Sequence, residues 1–178
     1  MKILELKKID STQKKALQLA EKGEKEWTVV LAKEQEFGIG RKSDFWYSPK
    51  GGLYFSIILP EKKIEDLEIL TNLAAFLISK IIFEEFGEKP FIKFPNDVYL
   101  RGKKIAGILT QNVICGRKKI SVLGIGLNTN IKNFPANLKE RATSLLLKFK
   151  KEVDNKKFLK RIIGDLKKAL REISQNYV

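Results

Sequence analysis

Residues 91–125, FIKFPNDVYLRGKKIAGILTQNVICGRKKISVLGI, decide the fold. Four apolar runs follow one another here: Phe91–Phe94, Val98–Leu100, Ile105–Ile114 and Ile120–Ile125. The separating segments are short and polar, and Arg101-Gly102-Lys103 and Gly116-Arg117-Lys118 each contain a glycine. A parallel pair would need a crossover of a dozen or more residues, so connections this short predict hairpins and antiparallel pairing.

Helical and strand patterns flank this meander. Upstream, Ile64, Leu67, Leu70, Ala74, Leu77, Ile78, Ile81, Ile82 and Phe86 recur mostly at spacings of three and four, which predicts a helix over 64–86 ending at Gly87. Leu53–Leu59 reads as a strand entered through Ser48-Pro49-Lys50-Gly51-Gly52 and ended by Pro60, Thr28–Ala32 as a buried strand, and Ile3–Leu6 as a short one. Between these, Asp10 or Ser11 is a candidate N-cap and Gly23 a candidate C′ residue for a helix of about three turns. Downstream, Phe158, Ile162, Ile163, Leu166, Ala169, Leu170 and Ile173 share one helical face. The expected architecture is one α+β domain over 1–178, with helices covering one side of a mainly antiparallel sheet.

Composition narrows the chemistry. The chain has 178 residues, 35 Lys plus Arg against 21 Asp plus Glu, a formal charge of +14 and no histidine. Catalytic constellations built on Ser-His-Asp or Cys-His are therefore excluded, as are histidine-ligated metals, and the single Cys115 can form neither an intramolecular disulfide nor a four-cysteine zinc site. No metal site is expected. A chain of this length buries roughly 70% of its unfolded surface, enough for one good core. The amino end carries no secretory signal, and Leu67–Phe86 is broken by Glu68, Thr71, Asn72, Ser79, Lys80, Glu84 and Glu85, so no membrane span and a cytoplasmic location are expected.

Three polar clusters interrupt the apolar pattern. Gly38-Ile39-Gly40-Arg41-Lys42-Ser43-Asp44 places two glycines beside cations, an arrangement that lets backbone N–H groups approach an anion. An ordinary surface loop is the plainer alternative. Lys93-Phe94-Pro95-Asn96-Asp97 puts a lysine on a strand just before a segment that a type I turn would also explain. In Lys103-Lys104-Ile105-Ala106-Gly107-Ile108-Leu109, edge protection would account for Lys104 and a bulge for Gly107.

In this order and with their neighbours, these clusters resemble the biotin protein ligases. Asp10-Ser11-Thr12 is similar to the family's D-S-T-N, Gly38–Trp46 to G-R-G-R-x-G-R-x-W, and Ser48–Tyr54 to S-P-x-G-G-L-Y. Lys93–Asp97 resembles K-W-P-N-D, Lys104–Leu109 K-[IL]-A-G-I-L, Gly124–Asn128 G-[IV]-G-[IL]-N, and Ala142–Leu145 A-T-S-L. Departures are Ile39 and Asp44 in place of arginine, Ser43 in place of glycine, Gln13 in place of asparagine, Phe94 in place of tryptophan, and Gln111 where an acidic residue is common.

The resemblance implies the class II aminoacyl-tRNA synthetase/biotin synthetase fold and a single catalytic domain, without the family's N-terminal DNA-binding extension or C-terminal β-barrel. It implies that biotin and ATP form biotinyl-5′-AMP, from which biotin passes to a lysine of the biotin carboxyl carrier protein of acetyl-CoA carboxylase. Mg2+ would arrive with ATP. Arg41, Lys104, Lys93 and Asp97 take the catalytic positions; Arg41, Lys93 and Lys104 face phosphate or carboxylate oxygens, and Asp97 orients the incoming amine. Ser11, Thr12 and Gln35 match positions that hydrogen-bond the biotin ring, Gly38, Gly40 and Gly107 allow close backbone approach, and Trp46 covers the ligand. Asn96 and Asn128 look like nucleotide contacts. No specific DNA partner is expected, and a homodimer is left open. A lipoate or octanoate ligase is the alternative on the same fold. A basic nucleic-acid-binding protein is a weaker alternative, since the lysines are scattered rather than gathered in a stripe.

Overall fold

The computed structural model describes residues 1–60, 67–116 and 118–176. Strand β1 (Ile3–Leu6) leads to helix α1 (Thr12–Glu21), then β2 (Val29–Ala32) and β3 (Leu53–Ile58). Helix α2 (Leu67–Phe86) precedes β4 (Phe91–Lys93), β5 (Asp97–Leu100), β6 (Lys103–Cys115) and β7 (Lys118–Leu127), and the short α3 (Ala136–Lys139) and α4 (Leu145–Phe149) lead to the long α5 (Asn155–Asn176). Ile64, expected at the start of the second helix, and Arg117, expected in a turn, lie outside the described residues.

Local chemistry sets these boundaries. Ser11 caps α1 by accepting from the Lys14 N–H at 3.4 Å, and Gly23 ends it in the left-handed region at φ +76°. Arg101 and Gly102 both have positive φ, the backbone of the tight turn that joins β5 to β6. The sequence pattern does not reveal α3 and α4, because each is too short to show a period. In α4, Ser144 supplies the cap, accepting from Leu147 N while donating to Ile131 O at 2.6 Å.

The seven strands form one sheet in the order β1-β2-β3-β7-β6-β5-β4. Only β1–β2 is parallel, so the predicted antiparallel meander is present. The expectation that helices cover one side is corrected. One face packs Val29, Leu31, Phe55, Ile57 and Leu123 against α2 and α5, while the other packs Val30, Ile58 and Val122 against Ala16 and Ala20 of α1. Strands β2 and β3 are buried at every residue, so both of their faces need cover.

Two readings of the third cluster also change. Lys104 lies on β6, between β7 and β5, and does not protect an edge. The irregularity falls at Ile105 instead of Gly107: Val98 pairs with Ala106 and Tyr99 with Lys104, leaving Ile105 as the extra residue. Ile105 and Ala106 therefore both enter the main core, and the bulge turns Lys104 toward the α1 side of the sheet.

Candidate active site

Beyond the amino end of α1, the same sheet face forms a cleft of about 180 Å³. Its floor follows from strand register. Ser56, Gly124, Gly126, Gly107 and Leu109 alternate with core residues and look out on the α1 side, with Gly107 opposite Gly126 and Leu109 opposite Gly124. Where side chains are missing the floor drops, and the space above it stays open.

The inner end is neutral and densely hydrogen-bonded. Ser11, Thr12, Gln13 and Ser56 are all buried. Gln35 Oε1 accepts from Thr12 N at 2.7 Å and from Thr12 Oγ1 at 3.1 Å, while Gln35 Nε2 donates to Ser48 Oγ at 2.8 Å. Ser56 Oγ donates to Thr12 Oγ1, and Gln13 Nε2 donates to Gln111 Oε1 and Val122 O. Gln13 Oε1 is left buried beside Gly124 without a partner. Buried polar atoms are rarely left unsatisfied, so this acceptor is the open hydrogen-bonding position of the network.

The Gly38–Trp46 loop is a tight hairpin over the cleft. Gly38 O accepts from Trp46 N at 2.8 Å, Gly40 N donates to Asp44 O at 2.7 Å, and Ile39 bridges Phe45. A Cβ on Gly38 would collide with Trp46 O and Ser48 Oγ. Trp46 lies across Gly107 and Gly126, its indole nitrogen buried without a hydrogen-bond partner. Arg41 at the hairpin tip is exposed and lines the cleft.

The outer end is charged. Lys104 Nζ stands 2.7 Å from Asp97 Oδ1, a close ionic contact without hydrogen-bond alignment, and 5.1 Å from the centre of the Trp46 ring. Here the cleft adjoins a second cavity of about 290 Å³, lined by Tyr47, Tyr99, Asn128, Phe134 and Arg141, and shared with Asp44, Phe45, Trp46 and Lys104. Asn128 Oδ1 is buried and unpartnered, whereas the Asn128 backbone is tied to Ile105 O and Leu145 N. Among the described residues no group of three or more Asp, Glu or Cys could hold a metal ion.

Of the residues singled out from sequence, Ser11, Thr12, Gln35, Gly40, Arg41, Trp46, Asn96, Asp97, Lys104 and Gly107 line the first cleft, and Asn128 lines the second. Gly38 stands behind Gln35 and Trp46. Lys93 lines neither cavity: it is exposed on edge strand β4, with its Nζ 5.9 Å from the Tyr99 ring centre. Sequence reasoning missed Ser56, Gly126, Tyr47, Tyr99, Phe134 and Arg141 as lining residues. Gly126 carried a signal, since G-I-G in β7 alternates with core positions; the aromatic residues meet only through tertiary packing.

Fold and site together define an α+β domain whose cleft runs from a neutral hydrogen-bonding end to a charged one. The chain belongs to the biotin/lipoate A/B protein ligase family, whose family model matches residues 5–130. It is 37% identical over 169 residues to the bifunctional ligase/repressor BirA of Bacillus subtilis, covering 92% of this chain and 52% of that protein. The biotin–[acetyl-CoA-carboxylase] ligase of Paracoccus denitrificans is 29% identical over 136 residues, covering 73% of this chain and 55% of that one. Among solved structures, the biotin protein ligase of Aquifex aeolicus in complex with biotin and ATP superposes with a TM-score of 0.86 at 32% identity, covering 98% of this chain and 72% of that one. The chain spans about half the length of the curated relatives it matches. No helix among the described residues is long and apolar enough to cross a membrane.

Proposed function

We propose that the chain is the catalytic domain of a biotin protein ligase, joining biotin to ATP as biotinyl-5′-AMP and passing biotin to a lysine of the biotin carboxyl carrier protein of acetyl-CoA carboxylase. The observation that carries this reading is the position of Lys104, aimed by the Ile105 bulge at the junction of a neutral pocket and an aromatic, cationic cavity. A neutral bicyclic urea suits Thr12, Ser56 and the unpartnered Gln13 Oε1, and an adenosine suits the Tyr47, Phe134 and Asn128 side.

In the first step the biotin carboxylate attacks the α-phosphorus of ATP and pyrophosphate leaves. Neither this step nor the transfer needs a protein nucleophile. Lys104 and Arg41 offset the repulsion between two anions, and placing such donors beforehand lowers the barrier where charge converges. Trp46 and the hairpin restrict water around an anhydride that hydrolysis would waste. Magnesium enters with the ATP phosphates.

The test is mass spectrometry of a purified carrier domain after incubation with this protein, ATP, magnesium and either biotin or lipoate. One biotin on one lysine is expected. A lipoyl adduct with no biotin adduct would overturn the reading in favour of the alternative acyl group.

A further inference from the structure

Asp44 is the acidic residue of the site that the proposed reaction has not used. Among the described residues Asp44 and Asp97 are the only acidic ones lining either cavity, and Asp97 is committed to Lys104. Asp44 lines both cavities, is exposed, and forms no ion pair and no side-chain hydrogen bond among the described residues. Its main chain is fixed on both sides, with Asp44 N donating to Arg41 O at 3.1 Å and Asp44 O accepting from Gly40 N. The hairpin thus holds an unneutralised carboxylate at the cavity junction without any structural contact that needs it.

For the adenylation step this charge is unfavourable, because it repels the triphosphate. The second step brings a cation: at neutral pH a lysine side chain arrives as an ammonium. We infer that Asp44 is a specificity-determining residue for the transfer step, attracting the acceptor lysine's ammonium to the adenylate at some expense to ATP binding. The inference rests on the proposed ligase activity. In the transfer, the lysine nitrogen forms a bond to the biotinyl carbonyl carbon, the bond from that carbon to the phosphate oxygen breaks, and AMP leaves. Each ammonium that enters releases two protons to solvent, one before attack and one from the new amide nitrogen.

The sign of this effect differs between the two steps, which makes it testable with Asp44→Asn, a substitution that keeps the backbone contacts. Pyrophosphate release is measured against ATP concentration with biotin saturating, and carrier biotinylation is measured from preformed biotinyl-5′-AMP. The variant should show an ATP KM lower by about two- to fivefold and a carrier kcat/KM lower by about three- to fivefold, the range of a solvent-exposed charge pair. The carrier effect should shrink as salt rises, and should be absent when hydroxylamine, uncharged at neutral pH, replaces the carrier. Asp44→Glu should restore the wild-type direction in both assays. Changes of the same sign in both steps, or no change in either, would overturn the role of Asp44 while leaving the ligase reading intact. A wild-type protein that forms no biotinyl adenylate would instead overturn the activity on which it rests.

Discussion

Gly107 and Gly126 stand directly opposite one another in the β6–β7 ladder, and the Trp46 ring lies over both. A Cβ on Gly107 would come within 2.9 Å of the Trp46 ring, and one on Gly126 would run into its indole nitrogen. Two strands and one hairpin therefore share a single contact plane. The ring can reach the sheet only because neither strand projects a side chain there, and from that position it walls the cleft and faces Lys104.

Gly126→Val tests this arrangement. Valine suits a strand, so the sheet should survive, but the Trp46 ring must lift away. The expected outcome is a folded protein with altered tryptophan emission and weakened adenylate binding. Unchanged emission together with wild-type binding would show that the glycine pair is not what seats the ring.

Lys104→Ala should impair adenylate formation much more than biotin retention. Loss of a donor needed mainly in the transition state typically costs roughly 2.7–4 kcal/mol, or about 100- to 1,000-fold in rate. Lys104 lies on an inner strand, so its removal should not expose a sheet edge or cause aggregation. Pyrophosphate release from the folded variant at the wild-type rate would remove Lys104 from the site.

Gln35 joins the binding pocket to the fold. Replacing it with alanine removes the acceptor for Thr12 N and Thr12 Oγ1 and the donor to Ser48. Leaving such buried groups unpaired costs about 1–3 kcal/mol. Gln35→Ala should therefore lower both the melting temperature, by several degrees, and biotin affinity. A variant that lost affinity but kept its full melting temperature would place Gln35 on the ligand alone.

The antiparallel meander was legible because turn residues at Arg101-Gly102 and Gly116 punctuate apolar runs too close together for crossovers. Helix cover on both faces was less visible in the pattern, since Leu53–Ile58 is buried on both sides and so lacks the alternation that assigns a face. At the site, motif order singled out Lys104, but the reason it points at the cleft is the bulge at Ile105, which depends on pairing with β5. Tyr47 and Phe134, with ring centres 6.2 Å apart, lie 87 residues apart in the chain, and no local spacing connects them.

Arg41 gives the sharpest test of the hairpin. It occupies the exposed tip, lines the cleft, and forms no ion pair with the protein among the described residues, so its charge is available to a ligand. Its backbone carbonyl holds Asp44 N, and glycine at this position retains that bond. Arg41→Gly should therefore leave the hairpin closed while removing a planar, two-pronged donor to phosphate or carboxylate oxygens. Hydrogen bonds to charged groups contribute about 1.5–3 kcal/mol, so preformed biotinyl-5′-AMP should dissociate faster by roughly one to two orders of magnitude. More of it should then reach water and hydrolyse before transfer. Arg41→Lys should fall between the two, since it keeps the charge and loses the fork. If the loop were only a surface connection, the glycine would add backbone freedom and change little else. Equal adenylate off-rates from wild-type and Arg41→Gly protein would show that Arg41 does not clamp the intermediate.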